Sequence, residues 1–197
     1  SVKVPLPITR VFALKNADPN YGVDPLVGIR ANSWPTAAVA ADGTVFVAWT
    51  DVRNGSCHDI GGPWIPCTDA DVMLSVSADG GRTWTAPLKV GDDATATDQF
   101  FPWIATHPNG LVSLAWQDKR LDPNNVNYDT FYTNTFDGAL FLPNVRVTTA
   151  SSLSGVGQTP TQDYNGLAAT ADGIFPIWSD MRSGDADIYT AAGRLVP

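Results

Sequence analysis

The sequence predicts an all-β chain: three consecutive blades of a β-propeller, each a four-stranded antiparallel sheet. Three observations predict it. Trp-x-Asp-x-Arg occurs at Trp49-Thr50-Asp51-Val52-Arg53, at Trp116-Gln117-Asp118-Lys119-Arg120 and at Trp178-Ser179-Asp180-Met181-Arg182. A turn pair precedes each copy: Asp42-Gly43, Asn109-Gly110 and Asp172-Gly173. An evenly spaced Asp then opens a new apolar stretch, at Asp71, Asp129 and Asp187. Repetition at a fixed long period marks a repeat architecture, and four short strands per unit is the plan of a propeller blade.

The elements follow in order. Strand A precedes the turn pair, whose residues favour the positive φ of tight hairpins. Strand B follows the turn and ends in Trp-x-Asp-x-Arg. Strand C starts at the repeated Asp. Strand D carries an apolar-basic-Val signature, Leu88-Lys89-Val90 and Val145-Arg146-Val147. Val2-Lys3-Val4 has the same form and stands before any strand A. The chain therefore reads D, ABCD, ABCD, ABC. Residues 1–32 hold the first D and a long loop, 33–93 the first blade, 94–150 the second, and 151–197 a third blade lacking its D. An unpaired sheet edge is a liability, and three blades are too few to close around an axis. The expectation is half of a six-bladed ring. A second copy exchanging D strands with twofold symmetry, a companion polypeptide, or the rest of a longer six-bladed chain would complete it.

Composition agrees. All 20 acidic residues are Asp and none is Glu, with 17 Gly and 15 Pro. Asp, Gly and Pro favour turns, whereas Glu and Lys are surface helix formers. A net charge of -8 leaves no basic stripe for nucleic acid. No apolar run is long enough for a membrane helix. Cys57 and Cys67 flank a turn-rich loop and are expected to form a disulfide, hence a secreted or periplasmic setting. The chain opens at Ser1 without a basic-apolar leader, read as a signal peptide absent or removed.

Between strands C and D of the first blade stands Ser77-Ala78-Asp79-Gly80-Gly81-Arg82-Thr83-Trp84. This fits the Asp-box, Ser-x-Asp-x-Gly-x-Thr-Trp, at every defined position, and resembles the bacterial neuraminidase (BNR) repeat of sialidase-like propellers. Thr135-Phe136-Asp137-Gly138-Ala139-Leu140-Phe141 is a version one residue short. Ser77, Asp79, Gly81, Thr83 and Trp84 read as a structural turn: Asp accepts from nearby N–H groups, Gly supplies a special conformation and Trp covers the hairpin.

The resemblance implies a glycan-directed role. In such propellers the loops after strand B and before strand A surround a central funnel. On that analogy Arg53, Arg120 and Arg182, with Asp118, are candidates for substrate binding, since Arg presents a fork suited to carboxylates. Because the motif recurs once per blade, its commonest role is structural. Function more often sits where repeats differ. The less repetitive loops before strand A contain Asp92-Asp93, Asp98-Gln99-Phe100-Phe101 and Gln162-Asp163-Tyr164-Asn165, and Asp98, Asp163 and Tyr164 are the candidates for chemistry or sugar contact. The long connection holding Tyr21, Asp24 and Arg30 is a further candidate on length.

Sialidases use a Tyr nucleophile, and the family pairs it with a Glu base. This chain has no Glu, so two identical copies cannot build that couple. An Asp-only mechanism would need one carboxyl with a raised pKa. The readings carried forward are a sialidase-like glycoside hydrolase or its relic, a carbohydrate-binding propeller using Trp64, Trp103 or Tyr164, and a structural or protein-binding propeller. No cofactor is expected. Calcium is conceivable at Asp122-Pro123-Asn124-Asn125 or Asp18-Pro19-Asn20, which read first as turns.

Overall fold

The computed structural model describes residues 33–57, 67–152 and 164–194. Among them are fourteen strands and no helix. The first sheet begins with β1 (Thr36–Val39) and β2 (Val45–Asp51). A small ribbon follows, β3 (Ser56–Cys57) with β4 (Cys67–Thr68). Then β5 (Asp71–Ser77) and β6 (Leu88–Lys89) complete the sheet in the order β1-β2-β5-β6. The second sheet contains β7 (Gln99–Thr106), β8 (Val112–Asp118), β9 (Asp129–Thr135) and β10 (Val145–Arg146), again in chain order.

The third sheet contains β11 (Gly166–Ala169), β12 (Gly173–Asp180), β13 (Asp187–Thr190) and β14 (Gly193–Arg194). Ile174 pairs with Ala169 on one side and Gly193 on the other. Thus β14 prolongs β13 along the same edge of β12, and the sheet is A, B and an interrupted C. Each pairing between neighbouring strands is antiparallel, as expected of hairpin-linked blades.

Burial explains why strand B is so apolar. β5 and β8 are buried along their whole length, and β2 all but its first residue. Successive side chains of a strand point to opposite faces, and a middle blade is covered on both. Leu114 and Trp116 point into a core with Phe46, Leu74 and Val76 of the first blade. Ala115, between them, points the other way onto Leu167 and Ile174 of the third.

Two local expectations are corrected. Gln99-Phe100-Phe101 is not loop: it begins strand A of the second blade. A register shift between Phe100 and Trp103 hides the strand pattern. Phe101 sits at φ 53, and Pro102 has no N–H to give the ladder. Gly43 and Gly110 do take positive φ, 89 and 86, but Gly173 does not. A Cβ on Gly173 would lie 3.1 Å from the Gly193 carbonyl, so close backbone approach requires glycine there.

Val2-Lys3-Val4, Tyr21, Asp24, Arg30, Asp18-Pro19-Asn20, Trp64 and Asp163 lie outside the described residues. Of Cys57 and Cys67 the backbone alone is described, and the two stand directly opposite across the ribbon. Among the described residues no helix is long and apolar enough to cross a membrane.

Candidate functional site

The starts of strands A and C and the end of strand B meet at one end of each blade. There Asp51 stands opposite Asp71, Asp118 opposite Asp129, and Asp180 opposite Asp187. Like charges facing across a ladder repel, so each carboxylate needs a partner. The Trp-x-Asp-x-Arg motif supplies one set within itself. Trp116 Nε1 donates to Asp118 Oδ2 at 2.8 Å, the Arg120 N–H to Oδ1 at 2.8 Å, and the Arg120 guanidinium to Oδ2. The same clamp joins Trp49, Asp51 and Arg53, and again Trp178, Asp180 and Arg182.

Two of these arginines also lie over aromatic rings. Arg120 lies 4.4 Å over the Phe131 ring and Arg182 4.5 Å over Tyr189, both on strand C. Arg120 also reaches Asp92 and Asn144, beside the strands D. Asp118 is fully buried; burial pushes its carboxyl up, against the pull of Arg120 and Trp116. At Asp180 burial also acts upward, but the hydrogen bonds from Arg182 and Trp178 outweigh it and hold the carboxyl low.

The strand C carboxylates take their cations from strand D. Lys89 Nζ is 2.7 Å from Asp71, and Arg146 Nη2 is 2.8 Å from Asp129. Thr148 and Ser151 add hydroxyl donors to Asp129. The basic residue of the apolar-basic-Val signature thus has a structural use that sequence reasoning missed.

The turn from Ser77 to Trp84 is self-contained. Asp79 Oδ1 accepts from the Arg82 and Thr83 N–H groups, both at 2.9 Å, and from the Ser77 hydroxyl; Oδ2 accepts from the Thr83 hydroxyl at 2.7 Å. Thr83, through hydroxyl and N–H, does most to hold the carboxyl below the ordinary range. Gly80 and Gly81 take φ of 72 and 84. Trp84 packs against a cluster containing Val47, Trp49 and Met73. In the shorter version, Asp137 accepts from the Ala139 and Leu140 N–H groups, and Gly138 keeps φ 72.

A different group gathers where the three strands A begin. Trp34 precedes β1, Phe101 and Trp103 lie on β7, and Asn165 precedes β11; Tyr164 adjoins Asn165 in sequence. Trp34 and Phe101 meet edge to face at 5.9 Å, and both hold positive φ, 34 and 53. Positive φ costs free energy in bulky residues and clusters at functional sites. A bulge there re-aims side chains. Trp103 and Tyr164 are 41% and 79% exposed. The cleft between Trp34, Phe101, Trp103 and Asn165 holds about 40 Å³, room for little more than water. The cluster is a platform rather than a pocket. A larger groove of about 260 Å³ lies at the opposite end, by Asp42, Asn109 and Phe136.

Asp98 sits behind this platform, fully buried. Its Oδ1 accepts from the Ala70 N–H at 3.1 Å, and its Oδ2 from Asn125 Nδ2 at 2.7 Å. Lys119, also fully buried, stands 3.8 Å from Oδ2. Asp98 thereby ties the first blade to the second. Tyr164, by contrast, faces solvent. Asp69 was not singled out from sequence: it is partly exposed, at φ 63, and burial, then Asp71, raises its pKa. Asp122 spends its oxygens on the Asn124 and Asn127 N–H groups as a turn. Among the described residues no group of three or more His, Cys, Asp or Glu is placed to hold a metal.

No family model matches the chain, and no curated protein does. Solved structures do. The chain is similar to a Hadza microbial sialidase, with TM-score 0.53 and 11% identity over 83% of this chain and 35% of that one. It is similar to a protein of unknown function from Dyadobacter fermentans, with TM-score 0.51 and 12% identity over 81% of this chain and 50% of that one. It is also similar to a family 117 glycoside hydrolase from the marine bacterium Zobellia galactanivorans, with TM-score 0.50 and 14% identity over 81% and 51%. The sialidase and the family 117 enzyme are propeller folds. The likeness is one of fold: this chain is a run of propeller blades, and it spans about a third to a half of the length of these three structures.

Proposed function

We propose that the chain is half of a secreted, six-bladed, sialidase-like propeller of the Asp-box type that binds glycans on its aromatic platform. The carrying observation is the convergence of Trp34, Phe101, Trp103 and Asn165 from three blades, with two of the aromatics at positive φ. Aromatic rings with an apolar body and a polar edge suit the faces and hydroxyls of a sugar, and Asn165 adds an amide. Ligand sites of propellers lie around the axis, so the missing blades would raise the wall that this open platform lacks.

In this reading Tyr164 touches the ligand, and Asp163 beside it is the nearest carboxylate in sequence. Asp98 positions strand A of the second blade. Arg53, Arg120, Arg182 and Asp118 hold the ends of strand B. Cys57 and Cys67, facing each other across the ribbon, form the disulfide of an extracellular protein.

The test is binding to a panel of oligosaccharides. Trp103→Ala and Tyr164→Ala should each weaken binding at least about tenfold, as loss of an aromatic anchor does. Wild-type affinity in both variants, or no glycan bound by the wild type, would sink the proposal and leave a structural or protein-binding propeller.

Hydrolysis is the second reading, favoured by Asp69. It is the partly exposed carboxyl whose acidity burial weakens, the property required of a general acid. Release of dye from a fluorogenic glycoside by the wild type, and its loss in Asp69→Asn, would establish this reading over simple binding.

A further inference from the structure

Two of the clamp arginines show how this fold holds a guanidinium. Arg120 rests on the Asp118 carboxylate and over the Phe131 ring, and Arg182 on Asp180 and over Tyr189. The groove at the far end of the blades offers the same two groups without the cation. Asp42 and Phe136 line it, together with Thr44, Phe46, Pro108 and Asn109, and none of its described lining residues is Lys or Arg.

Both groups are presented by pinned turns. The Thr44 N–H donates to Asp42 Oδ1 at 2.9 Å, and this bond holds the exposed carboxyl below its ordinary range. Phe136 stands in the shortened Asp-box where the complete one has Ala78. The Thr135 hydroxyl accepts from the Asp137 and Gly138 N–H groups, and Asp137 Oδ1 from those of Ala139 and Leu140. Gly138 lies so close to Val76 and Leu74 that a Cβ would collide with the first blade. The turn of the second blade thus reaches over the first and sets Phe136, 67% exposed, at the groove beside the first blade's own hairpin.

We infer that this groove binds an arginine side chain presented by a partner protein, its guanidinium on the Asp42 carboxylate and against the Phe136 ring. A planar guanidinium satisfies a carboxylate and an aromatic face together. The groove holds about 260 Å³, less than the roughly 300 Å³ at which sites for whole small molecules begin, and suits one anchoring side chain. Such anchors carry most of the energy of a protein interface. The net charge of -8 favours approach of a basic partner. The groove lies at the opposite end from the aromatic platform, so the inference stands apart from the glycan reading.

The test is titration of the full chain with the amidated peptide Gly-Arg-Gly, followed by the backbone amide signals in nitrogen-15 NMR. The peptide should move the signals of Asp42, Thr44, Asn109 and Phe136, and the neutral analogue with citrulline in place of arginine should not. Phe136→Ala and Asp42→Asn should each raise the dissociation constant about two- to fivefold, the range of an exposed cation–π contact or ion pair. Added salt should raise it further. Both positions are exposed, and Asn still accepts in the turn, so circular dichroism should be unchanged. Groove signals that stay still, or that move equally with the citrulline peptide, would overturn the inference. So would groove signals that answer to an oligosaccharide and not to the arginine peptide, which would make this a second sugar site.

Discussion

At the scale of single residues, Asp118 shows how much one carboxylate does here. It receives Trp116 Nε1, the Arg120 N–H and the Arg120 guanidinium in a fully buried position. Asp118→Ala would leave Trp116 Nε1 and the Arg120 N–H without their acceptor, while the guanidinium keeps Asp92 and Asn144. Each buried donor left unsatisfied costs about 1–3 kcal/mol, readable by denaturant unfolding. Gly138 is constrained differently. Its φ is 72, and a Cβ there would overlap Val76 and come within 3.1 Å of Leu74. Gly138→Ala combines a left-handed penalty with overpacking of the first blade's core, each about 1–3 kcal/mol. Asp79 makes a prediction in acid. Its folded pKa lies below the reference value of 3.8, so its contribution is full above that pH and disappears as pH falls through the folded value. The stability gap between wild type and Asp79→Asn should therefore close on acidification. The clamp, the Asp-box and the turn glycines were legible because each is a local pattern repeated or matched in sequence. Phe101 was not: a bulge next to a proline erases the alternation that marks a strand.

At the scale of elements, strand D looks dispensable by length, with two residues in β6 and two in β10. Its value is the cation it brings to strand C. Asp129 is buried and binds Arg146, Thr148 and Ser151, whereas the Arg146 side chain is 37% exposed. Asp129→Ala should therefore cost more stability than Arg146→Ala, since a surface-facing partner of an ion pair is worth little by itself. The seam between the second and third blades is pinned by Tyr128, whose hydroxyl donates to Ser179 O at 3.1 Å. Burial raises the Tyr128 pKa above the reference 10.0. Its contribution is then intact below pH 10 and is lost as pH rises through the folded value. Denaturant stability should fall as pH rises above 10, and Tyr128→Phe should weaken that dependence. The pairing of strand D with strand C was readable as a signature but not as a contact, because residues 71 and 89 meet only once the sheet has formed.

At the scale of the whole molecule, the repeat order made the blades legible, and the fold likeness agrees. The platform was less legible. Trp103 was named from sequence as a sugar contact, but Trp34 and Asn165 joined it only when three strands A were brought side by side. Such a site belongs to the assembly of blades and not to any one of them. The same is true of the exposed face of the third blade, where Phe175 and Ile177 are 41% and 44% exposed. The corresponding Phe46 and Ala48 of the first blade are buried against the second. A blade that ends a run uncovered asks for another.

Native mass spectrometry of the 21.0 kDa chain tests the half-ring most directly. Two three-bladed halves closing on each other give a particle of twice that mass. A stably folded particle of a single chain mass, persisting at high concentration, would contradict it.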